Sequence, residues 1–537
     1  MKTLSDIRVL SALGLAILLV CSCGLMIFKN NENLAIVTAQ FIDSGSLLQN
    51  YRDMVLSQDF DQSKYYHTAI YGWPGNHIIV WLMWFFQVAD ITTQAMLARA
   101  ASFACSVGAL VALGYLFAIN KTSKLISVAS LFFIVTWAPF TTFSYQIHPE
   151  AFGLLFGSVS LVFCSLFHQT HRDRWLHASW ALAVLAFLAK QPFLIYLIPP
   201  LFVGIRVASR HLNPAIYFWR TAAIFIFVGL AVTFISNPYI FLDFPRFLEK
   251  QVDIHTHHLS ISNSIATAAT RWTSIIVFKD SWFLVSLVLS PVAIRRSSNE
   301  VVVAAAWANL AFLAVLVTML KFFFIHSYIY PAIPTSALVI ASAPSYLRFF
   351  TKRGVITLVV ALSAIASVYN GLRSLAVILT DANFTNTEPV RLMSGLYNSD
   401  LKFVNVVYST NLPLDQDKFE KAYNNFQFPA DDIHAAMLSI KPDLIIVDQN
   451  WPFSEKEAFE QAAKALNMEK IIVNWPNTDP ILCDYQYEVT FENCMARFVS
   501  QHSTETAHTY YFYLSRSQPH LLATANQLAG LAKTPFK

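Results

Sequence analysis

Residues 7–28 read IRVLSALGLAILLVCSCGLMIF, an apolar run whose single charge is Arg8. As a helix it is long enough to cross a hydrocarbon core about 30 Å thick. A cleaved signal peptide has a shorter apolar core and small residues at its cut site. This run continues without a break to Phe28-Lys29, so it reads as an uncleaved anchor, and Leu18-Leu19-Val20-Cys21 is a poor lipidation site.

Working outward, runs of this kind recur through the first 380 residues. Spans are expected at 7–28, 96–119, 125–143, 151–167, 175–188, 193–207, 217–236, 274–294, 301–320, 327–344 and 355–378. The whole chain is 55% hydrophobic and 13% charged. A soluble domain carries about a quarter charged residues. The expected fold is therefore an α-helical polytopic membrane protein of about eleven spans over residues 1–380, followed by a soluble α/β domain over residues 381–537.

Orientation follows from the basic residues. Lys2 and Arg8, Lys121/Lys124, Arg172/Arg174, Arg206/Arg210, Arg295-Arg296 and Arg348/Lys352/Arg353 all fall on one side of the expected spans. The positive-inside rule makes that side cytoplasmic. The apolar stretch 78–89 is too short to span. Counting it would put every later basic loop outside, so it reads as an interfacial or re-entrant helix on the outer face, carrying Trp81, Trp84, Phe85 and Phe86. The outer face then receives residues 29–95, 144–150, 237–273 and the tail. The net charge of +4 says little by itself, and nucleic acid is not an expected partner.

Cys21, Cys23, Cys105 and Cys164 lie in apolar runs and read as small buried hydrophobes. Cys483 and Cys494 lie in the tail, where an extracytoplasmic setting permits a disulfide. The tail alternates strand (403–408), helix (431–440), strand (444–448), helix (455–466) and strand (470–473), which predicts a largely parallel sheet. No Gly-rich phosphate loop follows any of its strands, so a structural or acceptor-docking role is expected.

Chemistry-bearing residues collect on the outer side. The first loop opens Asn30-Asn31-Glu32-Asn33, runs through an expected helix at 34–43, and reaches Asp59, Asp61, Lys64, Tyr66, His67 and Tyr71-Gly72-Trp73-Pro74. Glu32 has two readings: a helix-start acid suited to the dipole, or a carboxylate that takes a proton or holds a divalent cation. Glu150, in His148-Pro149-Glu150, is a second acid at a helix end. The 237–273 loop carries Arg246 and His255-Thr256-His257-His258. Spacings of one and two residues suit tetrahedral metal ligation poorly, so a polar loop is the better reading. Lys190 and Lys321, the latter ahead of His326, sit at span ends, where they either snorkel or pair with phosphate.

In this order the pieces resemble the membrane-embedded GT-C glycosyltransferases, among them the protein O-mannosyltransferases (family 39) and the aminoarabinose transferases that modify lipid A. The resemblance covers residues 7–380. It rests on Asn31-Glu32-Asn33-Leu34-Ala35, Phe41-Ile42-Asp43-Ser44-Gly45, Tyr65-Tyr66 through Trp73-Pro74, His148-Pro149-Glu150, Ala189-Lys190-Gln191-Pro192 and His326 through Pro334. The family opens its first outer loop with an Asp-Glu pair, and the Asp acts as catalytic base or metal ligand. Asn31 stands at that Asp position here.

The resemblance implies an enzyme of a bacterial-type inner membrane. It would move a sugar from a polyprenyl-phosphate donor to a lipid, glycan or protein acceptor on the outer face. Glu32 and Glu150 are the candidate catalytic carboxylates and, with Mg, Mn or Ca, the candidate metal ligands. Asn31, Tyr66, His67, His148, Lys190, Arg246, His255, His257, Lys321 and His326 are candidate substrate contacts. Two other classes compete. A transporter or flippase predicts polar residues through the bundle, where Asp280 is the main charge noted. A catalytically inactive relative is suggested by Asn31.

Overall fold

The computed structural model describes residues 6–29, 31, 37, 42–61, 64, 73–210, 213–260, 264–278, 280–320, 326–347, 352–382, 403–408, 419–424, 433–448, 453–476 and 506–516. The chain divides into two units, Met1–Phe28 with Leu47–Leu375, and Lys29–Ser46 with Ala376–Lys537.

The first unit is a helical bundle. Among the described residues, seven helices are long and apolar enough to cross a membrane, or up to nine if each of two bent pairs is one span. The chain is thus a helical polytopic membrane protein. Two spans expected to be continuous are broken. Lys124–Thr136 and the helix from Pro139 to Tyr145 meet at 61°. Trp137 is extended there, and a proline opens the next helix, where its missing N–H costs nothing. Ile265–Val277 and Ser281–Arg296 meet at 105°. Asp280 starts the second of these, its carboxylate accepting the Phe283 N–H at 3.0 Å. The main charge expected inside a span is therefore a capping residue. The short helix expected at 78–89 runs Trp73–Phe85, with Trp81, Trp84, Phe85 and Phe86 exposed.

Loops expected on opposite sides gather at opposite ends of the bundle. At the basic end, Arg8 donates to the Thr122 carbonyl at 2.7 Å. Gln169 donates to the Ile119 carbonyl at 2.6 Å, and Asn299 donates to the Asn120 side chain at 2.8 Å. At the other end, Tyr196 O–H donates to the Pro331 carbonyl at 2.8 Å and Trp272 Nε1–H to the Leu320 carbonyl at 3.0 Å.

Between the ends, helices approach through small residues, as membrane helices must when lipid is as apolar as a core. Ser160 and Ser179 each donate to the other's carbonyl at 2.8 Å, joining Glu150–Thr170 to Asp173–Ala189. Farther round, Asn309 on Glu300–Thr318 accepts from Thr335 at 2.6 Å and from Ser336 at 3.4 Å. Ser286 donates to Ser336 at 2.9 Å. By contrast, Pro214–Ser236 buries only Phe225 and Ser236 along its length.

Among the described residues, the second unit carries a five-stranded sheet of order β2-β1-β3-β5-β4. The strands are β1 (Phe403–Tyr408), β2 (Phe419–Asn424), β3 (Leu444–Asp448), β4 (Met468–Pro476) and β5 (Thr506–Ser515). β1 runs parallel to β2 and β3, whereas β5 is antiparallel to both β3 and β4. The sheet is mixed, not largely parallel, because β5 lies between β3 and β4. The helices Ile433–Ile440 and Phe453–Ala465 contribute Met437, Phe459, Ala462 and Ala463 to a core with Ile445 and Tyr513. Each large apolar side chain so buried stabilises by about 1.5–3 kcal/mol. The expected helix at 34–43 lies largely outside the described residues, as do Cys483 and Cys494.

Candidate functional site

The site is built on the break between two helices. The Ala138–Tyr145 helix ends at Gln146, which is extended, and Pro149 starts the helix Glu150–Thr170. Glu150 is thereby fixed in a first turn, where free N–H groups favour a negative charge. It is only 3% exposed. A carboxylate that dry is stable as an anion only with partners.

Two partners are present. The Lys190 ammonium donates to Glu150 Oε1, and His148 Nδ1 meets Oε2. Lys190 ends the helix Asp173–Ala189 in an extended conformation, and Pro192 opens the following 3-10 turn. The helix therefore stops where its lysine can turn inward. The Lys190 ammonium also lies 5.1 Å from the centre of the Tyr328 ring, a cation–π contact. This lysine does not snorkel outward to the interface, the plainer of the two readings its sequence position allowed. His148 stacks on Phe143 at 5.0 Å, and Phe143 sets its edge against Tyr330 at 5.4 Å.

Glycine sets the spacing of this cluster. A Cβ at Gly153 would lie 2.8 Å from the Phe193 ring, and one at Gly157 would press still closer on Tyr196. Without those methyl groups the Gln191–Leu197 turn lies directly on the Glu150–Thr170 helix, which brings Lys190 within reach of Glu150.

A second polar group lies on the same end of the bundle. Lys64 pairs with Asp59, and Arg246 pairs with Asp243 at 3.3 Å. The Lys64 ammonium holds the Asp59 carboxyl below its ordinary range, with Arg246 adding to the effect. Both pairs are substantially exposed, so each contributes little stability.

Of the residues expected at the site, Glu150, His148 and Lys190 come together. Arg246 forms its own exposed pair with Asp243. Asn31 is buried and belongs to the other unit. Glu32, Tyr66, His67 and Lys321 lie outside the described residues, as do the side chains of His255, His257 and His326. Among the described residues, no group of three His, Cys, Asp or Glu side chains is placed to hold a metal ion. Glu150 fits a metal poorly, since its oxygens already face an ammonium and an imidazole.

Two features escaped the sequence reading. Arg99 is fully buried in the helix Ile91–Ile119 and donates to the Met26 carbonyl at 3.2 Å, tying that helix to the end of the first span. Its signal was visible as a lone cation within an apolar run. At the basic end, Glu300 starts the helix Glu300–Thr318, with Arg210 at 2.7 Å and His168 Nδ1 at 3.7 Å. Chemically, the Glu150 cluster can hold an ammonium and an imidazole fixed in a dry setting, where each acts strongly on any charge brought near. No family model matches the chain, and no curated protein matches it.

Proposed function

We propose that the chain is a membrane glycosyltransferase that moves a sugar from a polyprenyl-phosphate donor to an acceptor at the extracytoplasmic face. The observation that carries this reading is the buried Glu150–Lys190–His148 cluster at the bundle end opposite the basic loops. Ionisable groups at membrane depth are expensive, and they mark functional sites by default. In this reading the protein has about eleven spans, its N-terminus is cytoplasmic, and an α/β tail lies outside the plasma membrane.

The acceptor hydroxyl loses its proton to a base, and its oxygen forms a bond to the anomeric carbon. The bond from that carbon to the donor phosphate breaks, and the phosphate leaves with the electron pair. Lys190 stabilises the developing phosphate charge, with Glu150 and His148 holding it in place. Glu32 is the base on the strength of the sequence resemblance. No step is routed through a metal ion.

The test is release of polyprenyl phosphate by purified protein from a panel of polyprenyl-phosphate sugars. Wild type should release it, while Lys190→Met, Glu150→Gln and Glu32→Gln should lose most of the release while remaining monodisperse in detergent. Full activity in all three variants would sink the site.

Transport of a lipid-linked or small solute is the second reading. The buried Ser286–Asn309–Thr335–Ser336 group favours it, because it lies partway along the bundle helices. Uptake into proteoliposomes without donor cleavage would establish that reading.

A further inference from the structure

The helix Phe244–Ser260 reads FPRFLEKQVDIHTHHLS and segregates polar from apolar residues more sharply than any other described helix. Residues four apart drift by only about 40° around a helix, so Phe244, Leu248 and Val252 fall within one arc of about 80°. All three are exposed, at 52%, 49% and 55%. Arg246 falls opposite that arc and Glu249 about 60° beyond its edge, and both are exposed. An apolar stripe with this exposure is costly in water.

What covers the stripe follows from its neighbours. The helix Pro214–Ser236 is one of the seven that qualify as spans, and nearly its whole length is open. Its end is exposed at Phe234 and Ile235, and the open surface continues through Phe241 and Leu242 to Phe244. The stripe is thus continuous with the open apolar face of a span, which acyl chains cover in a bilayer. On the inner side, Phe247 meets Trp73 edge to face at 5.4 Å. Trp73 opens the helix Trp73–Phe85, whose Trp81, Trp84 and Phe85 are open as well.

We infer that the Phe244–Ser260 helix lies in the plane of the bilayer surface, with Phe244, Leu248 and Val252 in the acyl region of the leaflet opposite the basic loops. The occupant of the stripe is phospholipid. Arg246 and Glu249 stay in the aqueous headgroup zone, and the Trp73–Phe247 contact clamps this helix to the Trp73–Phe85 helix. Together the two helices form an aromatic-edged platform on the membrane, the arrangement expected of a helix with a large polar face and low overall hydrophobicity. The inference rests on the membrane-spanning character of the bundle and not on the proposed transfer activity.

The experiment places a nitroxide at Leu248→Cys, Val252→Cys and, as control, Glu249→Cys. Full-length protein is reconstituted in phosphatidylcholine–phosphatidylglycerol vesicles, with labelled wild type setting the background. All three sites are exposed, so the variants should fold, and gel filtration in detergent checks that they do. At positions 248 and 252, collisions with oxygen should exceed those with a water-soluble nickel chelate several-fold, with the order reversed at 249. Chelate access at 248 and 252 would overturn the inference in favour of an aqueous stripe. Exclusion of both reagents, with spin broadening that disappears on dilution with unlabelled protein, would overturn it in favour of a second copy of the chain.

Discussion

Glu150 and Glu300 are built by the same local recipe and differ in outcome. Each opens a long membrane helix, and each has one cation and one histidine beside it. At Glu300 the cation is Arg210, whose side chain is 67% exposed. At Glu150 the cation is Lys190, only 11% exposed and covered by Tyr328. Asn299 caps the Glu300 helix through its side chain, whereas Pro149 offers no such cap. In one cluster a buried carboxylate keeps an exposed cation, whose place water can take. The other is dry, and its members depend on one another. Solvent access, not residue type, separates a structural ion pair from a group capable of chemistry.

The largest expected difference comes from removing the cation. Lys190→Met leaves Glu150 buried without its charge partner and should cost about 3–5 kcal/mol. The double variant with Glu150→Gln should recover most of that loss, as read by thermal unfolding in detergent. A single variant that melts with wild type would show the two clusters to be alike. Next is Gly157→Val, where a branched side chain meets the Tyr196 ring, an overpacking cost of about 1–3 kcal/mol. This variant should also slow polyprenyl-phosphate release, because the turn that carries Lys190 must move away. Normal stability with normal release would remove the glycine's role in setting the spacing.

At the other end the effects shrink. Asn299→Ala loses the bonds to the Val301 and Val302 N–H groups and to Asn120, with an expected cost of about 1 kcal/mol in the same melt. Smallest is Arg210→Ala, which should cost under about 1 kcal/mol, an increment that fades as salt rises. A salt-independent loss several times larger would mean that water cannot take the place of Arg210 beside Glu300.

The helical bundle was legible because its signal is long and redundant: apolar runs recur, and their basic loops alternate. The two bends were less so. An apolar run reads the same whether its helix is straight or broken, and only Pro139 and Asp280 marked the breaks. His148, Glu150 and Lys190 were each legible as polar residues at span ends. Their convergence was not, since it depends on Gly153 and Gly157 allowing a close approach that spacing does not encode. In the tail, β1 and β3 stood out as aliphatic runs, whereas β5 reads TAHTYYFYLS, a mixture of hydroxyl and aromatic residues without that signature.

The position of β5 also orders events in time. It pairs with both β3 and β4, which do not pair with each other, and it is the last of the five in the chain. A ribosome delivers the chain from its N-terminus, so β3 and β4 emerge with a vacancy between them that residues 506–515 fill in the folded protein. Until then each presents an unpaired edge to any strand nearby. The tail sheet is therefore a late checkpoint on synthesis: a chain interrupted before residue 506 would carry its membrane helices intact while its sheet stayed open.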